Sequence, residues 1–184
     1  MAINLQKGQR EKLTTGNFTV GLGWDTNTTA TGADFDLDAS VFILGDNKKI
    51  LSDQHFVFYN NLKSPDGAVE HTGDNRTGEG DGDDESIRID LSKIDDKATE
   101  ICIVVTIDQY DVRKQNFGQV RNSFVRIVDN SSNTEVMKFE LDEDFSIETA
   151  VEFGRIYKRN GEWKFEAIGT GMPGGLGDFL NKYN

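Results

Sequence analysis

Proline, cysteine and long apolar runs are scarce in this sequence, and each shortage excludes a class of protein. Two prolines among 184 residues leave no room for a proline-rich linker. The single cysteine, Cys102, has no partner for an internal disulfide, and its apolar neighbours predict an inert, buried thiol. No apolar run reaches the roughly 18 residues of a membrane-spanning helix, and the N-terminus lacks the apolar stretch of a secretory signal. We therefore expect a cytoplasmic protein.

Positive charge is also in deficit. The chain has 20 Lys and Arg against 32 Asp and Glu, which gives a net charge of −12. Such a surface repels phosphate backbones, so we predict no nucleic-acid binding. Direct docking to anionic lipid is disfavoured for the same reason, unless a cation first neutralises the protein. In so acidic a chain, the isolated bases Arg113, Arg121, Arg126 and Arg155 are expected to form internal ion pairs.

Apolar residues recur with a period of two along most of the chain, which is typical of β-strands. The segments with this pattern, or with a continuous apolar run, are Phe18–Leu22, Phe35–Leu44, His55–Tyr59, Ile87–Leu91, Ile101–Ile107, Phe124–Val128, Val136–Leu141, Phe153–Tyr157 and Glu162–Ile168. Asn160-Gly161 is a strong signal for a hairpin between the last two. Short helices are expected near Asp108–Asn116 and over Leu176–Tyr183.

These patterns predict an all-β fold. The strands are short and the helical periods few, which favours a two-sheet antiparallel β-sandwich of roughly nine or ten strands with short helices, one of them C-terminal. No internal repeat and no linker interrupts the pattern. We therefore predict one domain over residues 1–184.

The acidic residues concentrate in two segments. Six of them lie in the twelve residues Asp74–Glu85, together with a single base and three alternating glycines. A second set, Asp34, Asp36 and Asp38, alternates along one predicted strand, which places the three carboxylates on one sheet face about 6–7 Å apart. Like charges aligned on one strand face are destabilising unless something neutralises them.

A hard divalent cation would neutralise such a set. Calcium takes about six to eight oxygen ligands, and the sequence supplies carboxylates, the amides of Asn60, Asn61 and Asn75, and glycine-rich backbone carbonyls. Zinc is disfavoured, because the two histidines and the cysteine show no zinc-ligand spacing. The open alternative is a solvated acidic loop without a metal.

An EF-hand does not account for the acidic stretch. A loop that starts at Asp74 has Glu85 correctly at its last position. However, Arg76 and Gly78 fall where oxygen ligands are required, and Glu79 falls where a glycine is required. Any calcium site would therefore be of another type.

Six ordered blocks, spread through the whole chain, are similar to one protein family. The blocks are Gly21–Asp25, Asp34–Ser40, Phe56–Asn61, His71–Glu85, Asn116–Asn122 and Gly161–Phe165. They resemble the TerD family of tellurium-resistance and general stress proteins. The resemblance implies a β-sandwich that binds calcium, two or more ions in a cluster at one end.

The resemblance also implies a ligand set, a location and partners. Matched to the family's motifs, the ligands are expected to be Asp25, Asp36, Asp38, Asn60, Asp74, Asn75, Gly78, Gly80, Asp81, Asp83, Asp84 and Glu85, with the glycines contributing backbone carbonyls. The family is bacterial and cytoplasmic and is associated with resistance to tellurite, phage and pore-forming colicins. Its expected partners are other stress and tellurium-resistance proteins, some of them embedded in the inner membrane, to which this chain would be peripheral.

Three functions follow from these features. The first is a calcium-dependent interaction module of the stress response, which is not an enzyme. The second is a metal-dependent hydrolase or phosphoryl-transfer enzyme that uses the same acids, although no phosphate loop or nucleophile motif is present. The third is a calcium-bridged lipid or sugar binder that presents its apolar tail, Met172–Leu180, to a membrane. Against the third function, we expect that tail to pack as a helix across an open end of the sandwich.

Overall fold

The computed structural model describes residues 1–26, 36–72, 83–141 and 147–184. Within these ranges the chain forms twelve strands and two α-helices. They are β1 (Ile3–Leu5), β2 (Arg10–Lys12), β3 (Asn17–Thr26), β4 (Leu37–Leu44), β5 (Phe56–Val57), β6 (Val69–His71), β7 (Glu85–Asp90), β8 (Glu100–Ile107), α1 (Tyr110–Arg113), β9 (Val120–Asp129), β10 (Thr134–Glu140), β11 (Ala150–Arg159), β12 (Glu162–Met172) and α2 (Gly175–Tyr183).

The strands form two six-stranded sheets, which confirms the predicted sandwich. The order in the first sheet is β1-β10-β9-β3-β7-β6, and in the second it is β2-β12-β11-β8-β4-β5. All pairings are antiparallel except that of β1 with β10, which is parallel and makes the first sheet mixed. The strand count exceeds the prediction because β1, β2 and β6 are three-residue strands at sheet edges, too short to show a period of two.

Two apolar layers lie on opposite faces of the second sheet. Val41 and Ile43 of β4 face the core between the two sheets, together with side chains of the first sheet such as Phe18. Their neighbours Phe42 and Leu44 face the other way and belong to a separate apolar cluster. Because both faces of β4 and β8 are covered, these strands are continuous apolar runs in the sequence rather than alternating ones.

Helix α2 covers the outer face of the second sheet. Phe179 is fully buried there, against a cluster that includes Phe42 and Cys102. The Tyr183 hydroxyl donates a hydrogen bond to Glu152 Oε1 (2.9 Å), which attaches the end of the helix to β11. The tail is therefore helical as expected, but it packs on a sheet face and not across an open end. The physical reason is that the outer face of the second sheet offers the helix a larger apolar area to bury than an open end of the sandwich does.

Local signals and charged pairs agree with the sequence analysis. Asn160 and Gly161 both have positive φ (53° and 76°), as a tight hairpin turn between β11 and β12 requires. Arg155 lies between two buried glutamates, with its Nη1 3.0 Å from Glu100 Oε1 and its Nε 2.7 Å from Glu166 Oε2. Arg155 is thus an internal ion-pair partner, as predicted. In the part of the chain that the structure describes, no helix is long and apolar enough to cross a membrane.

Candidate metal centre

Three consecutive acids, Asp83, Asp84 and Glu85, lead the chain from the acidic stretch into β7. Each carboxylate contacts a different part of the sandwich. One lies on the outer face of the first sheet, one binds the backbone of β3, and one lies between the two sheets. The contacts of these three side chains attach the C-terminal end of the acidic stretch to the sandwich.

Asp84 binds β3 at an irregularity in that strand. The pairing of β3 with β9 shifts register between Gly23 and Asp25, which is the mark of a β-bulge. The Trp24 N–H donates to Asp84 Oδ2 (2.8 Å), and the Asp84 N–H donates to the Leu22 carbonyl (2.7 Å). The side chain of Trp24 is buried in the core, so the bulge is held from the core side.

Burial and neighbouring negative charges disfavour the ionised form of the Asp84 carboxyl. Burial raises the pKa of its carboxyl above the ordinary value, the hydrogen bond from the Trp24 N–H opposes this, and the negative charges of Asp25 and Asp83 raise the pKa further. The ionised form of Asp84 is therefore penalised in the folded chain. A bound cation would remove that penalty by supplying the opposite charge.

Glu85 connects the two sheets from within. Its Oε2 accepts a hydrogen bond from the Ala39 N–H of β4 (2.5 Å) and lies 3.2 Å from His71 Nε2 of β6. The side chains of Glu85 and His71 are almost completely buried. The period of two explains this orientation, because Ile87 and Ile89, on the same side of β7 as Glu85, lie in the core.

Asp83 lies on the outer face of the first sheet. Arg126 of β9 donates two hydrogen bonds to the Asp83 carboxylate, from Nε to Oδ1 (2.8 Å) and from Nη2 to Oδ2 (2.9 Å). Its Nη1 also donates to Glu135 Oε2 (3.2 Å). The hydrogen bond to Asp83 is the largest cause that raises the pKa of Arg126, and the contact with Glu135 adds to it. The Asp83 carboxylate rests directly on Gly21 of β3, where a Cβ would lie 2.2 Å from Oδ2.

The other expected ligands within the described ranges lie on different surfaces. Asp25 is exposed at the end of β3, where its Oδ2 accepts from Asn122 Nδ2 (2.7 Å). Asp38 shares the outward side of β4 with the buried Phe42, which is the outer face of the second sheet, and Asp36 directly precedes β4. Asn60 is exposed in the turn that follows β5.

The structure thus separates the described ligand candidates. Asp25, Asp83 and Asp84 gather at β3, whereas Asp38 lies on the outer face of the second sheet and Glu85 lies between the sheets. Asp74, Asn75, Gly78, Gly80 and Asp81 lie outside the described residues. Within the described ranges, no three carboxylate, imidazole or thiol groups are arranged to enclose a metal ion. The donor set consists of crowded oxygen atoms, which fits a hard cation, but the described acids alone do not supply the six to eight oxygens that calcium takes.

Sequence reasoning missed several parts of this site. It expected Arg126 to form an ion pair but did not find its partner, because Arg126 and Asp83 are 43 residues apart in the chain and meet only over Gly21 of β3. The buried contact between His71 and Glu85 was missed as well. The one available signal was Gly21, because a glycine inside a predicted strand often marks a place where another group approaches the backbone closely.

Comparison with known proteins agrees with the resemblance seen in the sequence. A model of the TerD domain matches residues 1–183. The chain belongs to the TerD family. It is 50% identical to the tellurium resistance protein TerD of Serratia marcescens and 50% identical to general stress protein 16U of Bacillus subtilis, in each case over 100% of this chain and 97% of the relative.

Solved structures support the fold of this TerD-family chain. The crystal structure of a homologue of the telluride resistance protein TerD from Streptomyces coelicolor superimposes with a TM-score of 0.70. It shares 20% sequence identity and covers 90% of this chain and 95% of the other. At that identity the similarity establishes the sandwich architecture and nothing about ligands.

Proposed function

We propose that this TerD-family chain is a calcium-binding stress-response protein that contributes to tellurium resistance. It acts as a calcium-dependent interaction module of a cytoplasmic complex at the membrane and has no catalytic activity of its own. The observation that carries the proposal is Asp84, a mostly buried carboxylate whose pKa is raised by burial and by the charges of Asp25 and Asp83. The names of its bacterial relatives support the stress-response role.

Calcium would be held by oxygen atoms at the end of β3 and in the acidic stretch. Asp84 and Asp25 would contribute from the described residues, and Asp74, Asn75, Gly78, Gly80 and Asp81 from the rest of the acidic stretch. When bound, the ion supplies positive charge that offsets the mutual repulsion of these carboxylates. The separation of Asp38, on the outer face of the second sheet, from this group favours two or more ions over one.

The partner of the module is a protein rather than a lipid surface. The apolar side of α2 is occupied, because Phe179 is fully buried against the second sheet and Leu176 and Leu180 pack on the same cluster. The tail therefore has little apolar surface to offer a bilayer. Other tellurium-resistance proteins, including membrane-embedded ones, are the partners we propose.

A calcium titration of chelator-stripped protein tests the proposal. We expect saturable heat by calorimetry at micromolar or tighter affinity. At a calcium concentration 100-fold above the dissociation constant, the gain in folding free energy is about 2.7 kcal/mol. For a chain of this length that corresponds to a rise in melting temperature of roughly 5–11 °C. If neither heat nor a shift in melting temperature is observed, the acidic stretch is solvated charge and the calcium proposal is abandoned.

Asp84→Asn gives a sharper test, because its two expected effects have opposite signs. The asparagine keeps an oxygen that can accept from Trp24 but loses the charge that is penalised in the folded chain, so the calcium-free variant should be at least as stable as the parent. Its calcium-induced rise in melting temperature should shrink or vanish. Asp46→Asn is the matched control, since Asp46 is an exposed acid in the turn after β4 and the change in charge is the same. Equal calcium responses in the two variants would contradict a role for Asp84.

A further inference from the structure

The acidic stretch is attached to the outer face of the first sheet through Asp83. Both oxygens of the Asp83 carboxylate accept a hydrogen bond from Arg126, and the carboxylate lies over Gly21, where the missing side chain leaves room for it. Arg126 is held in turn by Glu135. An arginine that donates two hydrogen bonds to one carboxylate fixes both its distance and its orientation. The contact therefore fixes the place at which the acidic stretch approaches β7.

The same contact makes Asp83 a poor calcium ligand. Its negative charge is already balanced by a guanidinium, and the side chains of Arg126 and Asp83 are only 32% and 14% exposed. To turn toward an ion, the carboxylate would have to release two hydrogen bonds between charged groups, which are stronger than those between neutral ones. The family resemblance includes Asp83 in the ligand set, but the structure gives its carboxylate another partner.

Asp84, the next residue, is held by β3 as well. Its N–H donates to the Leu22 carbonyl (2.7 Å), and its Oδ2 accepts from the Trp24 N–H (2.8 Å). With Asp83 fixed beside it, Asp84 is in place before a cation binds. A ligand set that is already arranged binds more tightly than one that must be ordered during binding, because the entropy of ordering has been lost on folding.

We propose that Arg126 is a positioning residue for calcium, and that Asp83 is the anchor that Arg126 holds and not a calcium ligand. This inference rests on the proposed calcium function and states how the same site is organised. Arg126 acts on the ion in two opposite ways. Its positive charge repels a cation, whereas its hold on Asp83 keeps Asp84 in place. The second effect is the larger, because solvent and salt screen the repulsion, whereas the two hydrogen bonds act at contact distance.

Calorimetric titration of chelator-stripped Arg126→Gln with calcium tests the proposal, since the two effects predict opposite signs. Loss of the positive charge alone should tighten calcium binding, and release of Asp83 as an additional ligand should tighten it further. Loss of positioning should weaken calcium binding instead, by roughly ten-fold or more, as removal of the groups that orient metal ligands does in other proteins.

Arg88→Gln is the matched control for the charge. Arg88 is exposed and pairs with Thr19 of β3, and it lies on the outer face of the same sheet because its neighbours Ile87 and Ile89 face the core. The variant loses the same positive charge as Arg126→Gln but keeps the contact with Asp83. It should bind calcium as tightly as the parent or slightly more tightly.

Gly21→Ala disturbs the anchor without any change in charge. Its Cβ would lie 2.2 Å from Asp83 Oδ2 and displaces the carboxylate, so calcium binding should weaken here too. The double variant Gly21→Ala, Arg126→Gln should bind no more weakly than Arg126→Gln alone, because both changes act through Asp83. Gly16→Ala, with no atom within 4 Å of its Cβ, should leave the dissociation constant unchanged. Urea unfolding in chelator verifies that each variant is folded at the temperature of the titration.

The Nε–H signal of Arg126 in NMR spectra, assigned by its loss in Arg126→Gln, provides a second readout. If Asp83 stays with Arg126, this signal keeps its hydrogen-bonded chemical shift when calcium saturates the parent. A change to the shift of a solvent-exposed arginine would mean that Asp83 turns to the ion, and it would overturn the proposal.

The outcomes separate this inference from the calcium function itself. Calcium binding by the parent, together with equal or tighter binding by Arg126→Gln, overturns the positioning role and leaves the calcium function intact. Weaker binding by Arg88→Gln to the same extent as by Arg126→Gln also overturns it, because the effect would then belong to charge and not to the anchor. Absence of calcium binding by the parent overturns the calcium function, and this inference with it.

Discussion

Replacement of Gly21 by alanine should destabilise the chain through a single defined clash. Gly21 pairs with Arg126 of β9 and with Ser86 of β7, so its backbone is fixed on both sides. A Cβ at this position would lie 2.2, 2.4 and 2.6 Å from Oδ2, Cγ and Oδ1 of Asp83. The carboxylate can move away only by releasing the two hydrogen bonds from Arg126.

The size of the effect follows from the exposure of the ion pair. The side chains of Arg126 and Asp83 are 32% and 14% exposed, so the pair lies between a surface pair, worth about 0.2–1 kcal/mol, and a buried one, whose rupture costs about 3–5 kcal/mol. We take about 2 kcal/mol for this two-bond contact. Alanine in a strand interior regains about 0.5–1 kcal/mol relative to glycine. The net loss should be about 1–1.5 kcal/mol, equivalent to roughly 2–6 °C in melting temperature.

Urea unfolding of four proteins in chelator measures this effect: the parent, Gly21→Ala, Asp83→Ala and the double variant. With the carboxylate gone, the added methyl group has space, so Gly21→Ala should be neutral or slightly stabilising in the Asp83→Ala background. That difference is a coupling energy of about 2 kcal/mol, the value taken for the contact between Asp83 and Arg126. Gly16→Ala is the matched control, because no atom lies within 4 Å of a Cβ built there. Equal losses from Gly21→Ala in the two backgrounds would refute the reasoning.

Three further predictions concern the second sheet. Phe179→Ala should lower the free energy of unfolding in urea by about 3–5 kcal/mol, because the ring is fully buried between α2 and the second sheet. A loss below about 1 kcal/mol would mean that the helix is not firmly packed. Burial raises the pKa of Glu100, but the hydrogen bonds and charges of Lys48 and Arg155 outweigh it and lower the pKa below 4.5. The stabilisation that ionised Glu100 gives the folded chain is therefore full above pH 4.5 and is lost as the pH falls through the lowered pKa. Glu100→Gln should therefore flatten the acid side of a plot of unfolding free energy against pH. A curve for the variant that runs parallel to that of the parent would contradict this. Burial is the largest cause that raises the pKa of Cys102, and the charges of Glu152 and Glu100 raise it further. A thiol reagent should therefore modify Cys102 only after the chain unfolds. Rapid labelling of the native protein would contradict this.

The strands and their main turn could be predicted from sequence because their signals are local. In a strand with one buried face, alternation shows directly which residues are inside, as Phe18, Val20 and Leu22 of β3 illustrate. Asn160-Gly161 predicts its own hairpin because both residues tolerate the positive φ that the turn needs. The edge strands β1, β2 and β6 could not be predicted in this way. They hold their places through pairing with distant strands, such as β1 with β10.

The candidate site was predictable as a composition but not as an arrangement. The sequence identifies the acidic residues and the family that they resemble, and hence an oxygen-rich centre. It does not show that Asp83 is gripped by Arg126, that Asp84 binds the bulge at Trp24, or that Glu85 lies between the sheets. Each of these contacts joins strands that are neighbours only in the folded sheet.

What this sequence determined by itself is therefore the strand pattern, the excess of acid and the family resemblance, since all three depend on residue order and short-range geometry. Only the tertiary structure decided which acids share a surface. Asp83 and Asp38 both lie on outer faces, yet on opposite sides of the molecule, because Asp83 rests on β3 of one sheet and Asp38 belongs to β4 of the other. The apolar cover of α2 over Phe42 is likewise a property of packing. Sheet membership is set by pairing across the whole chain, and no local pattern of residues encodes it.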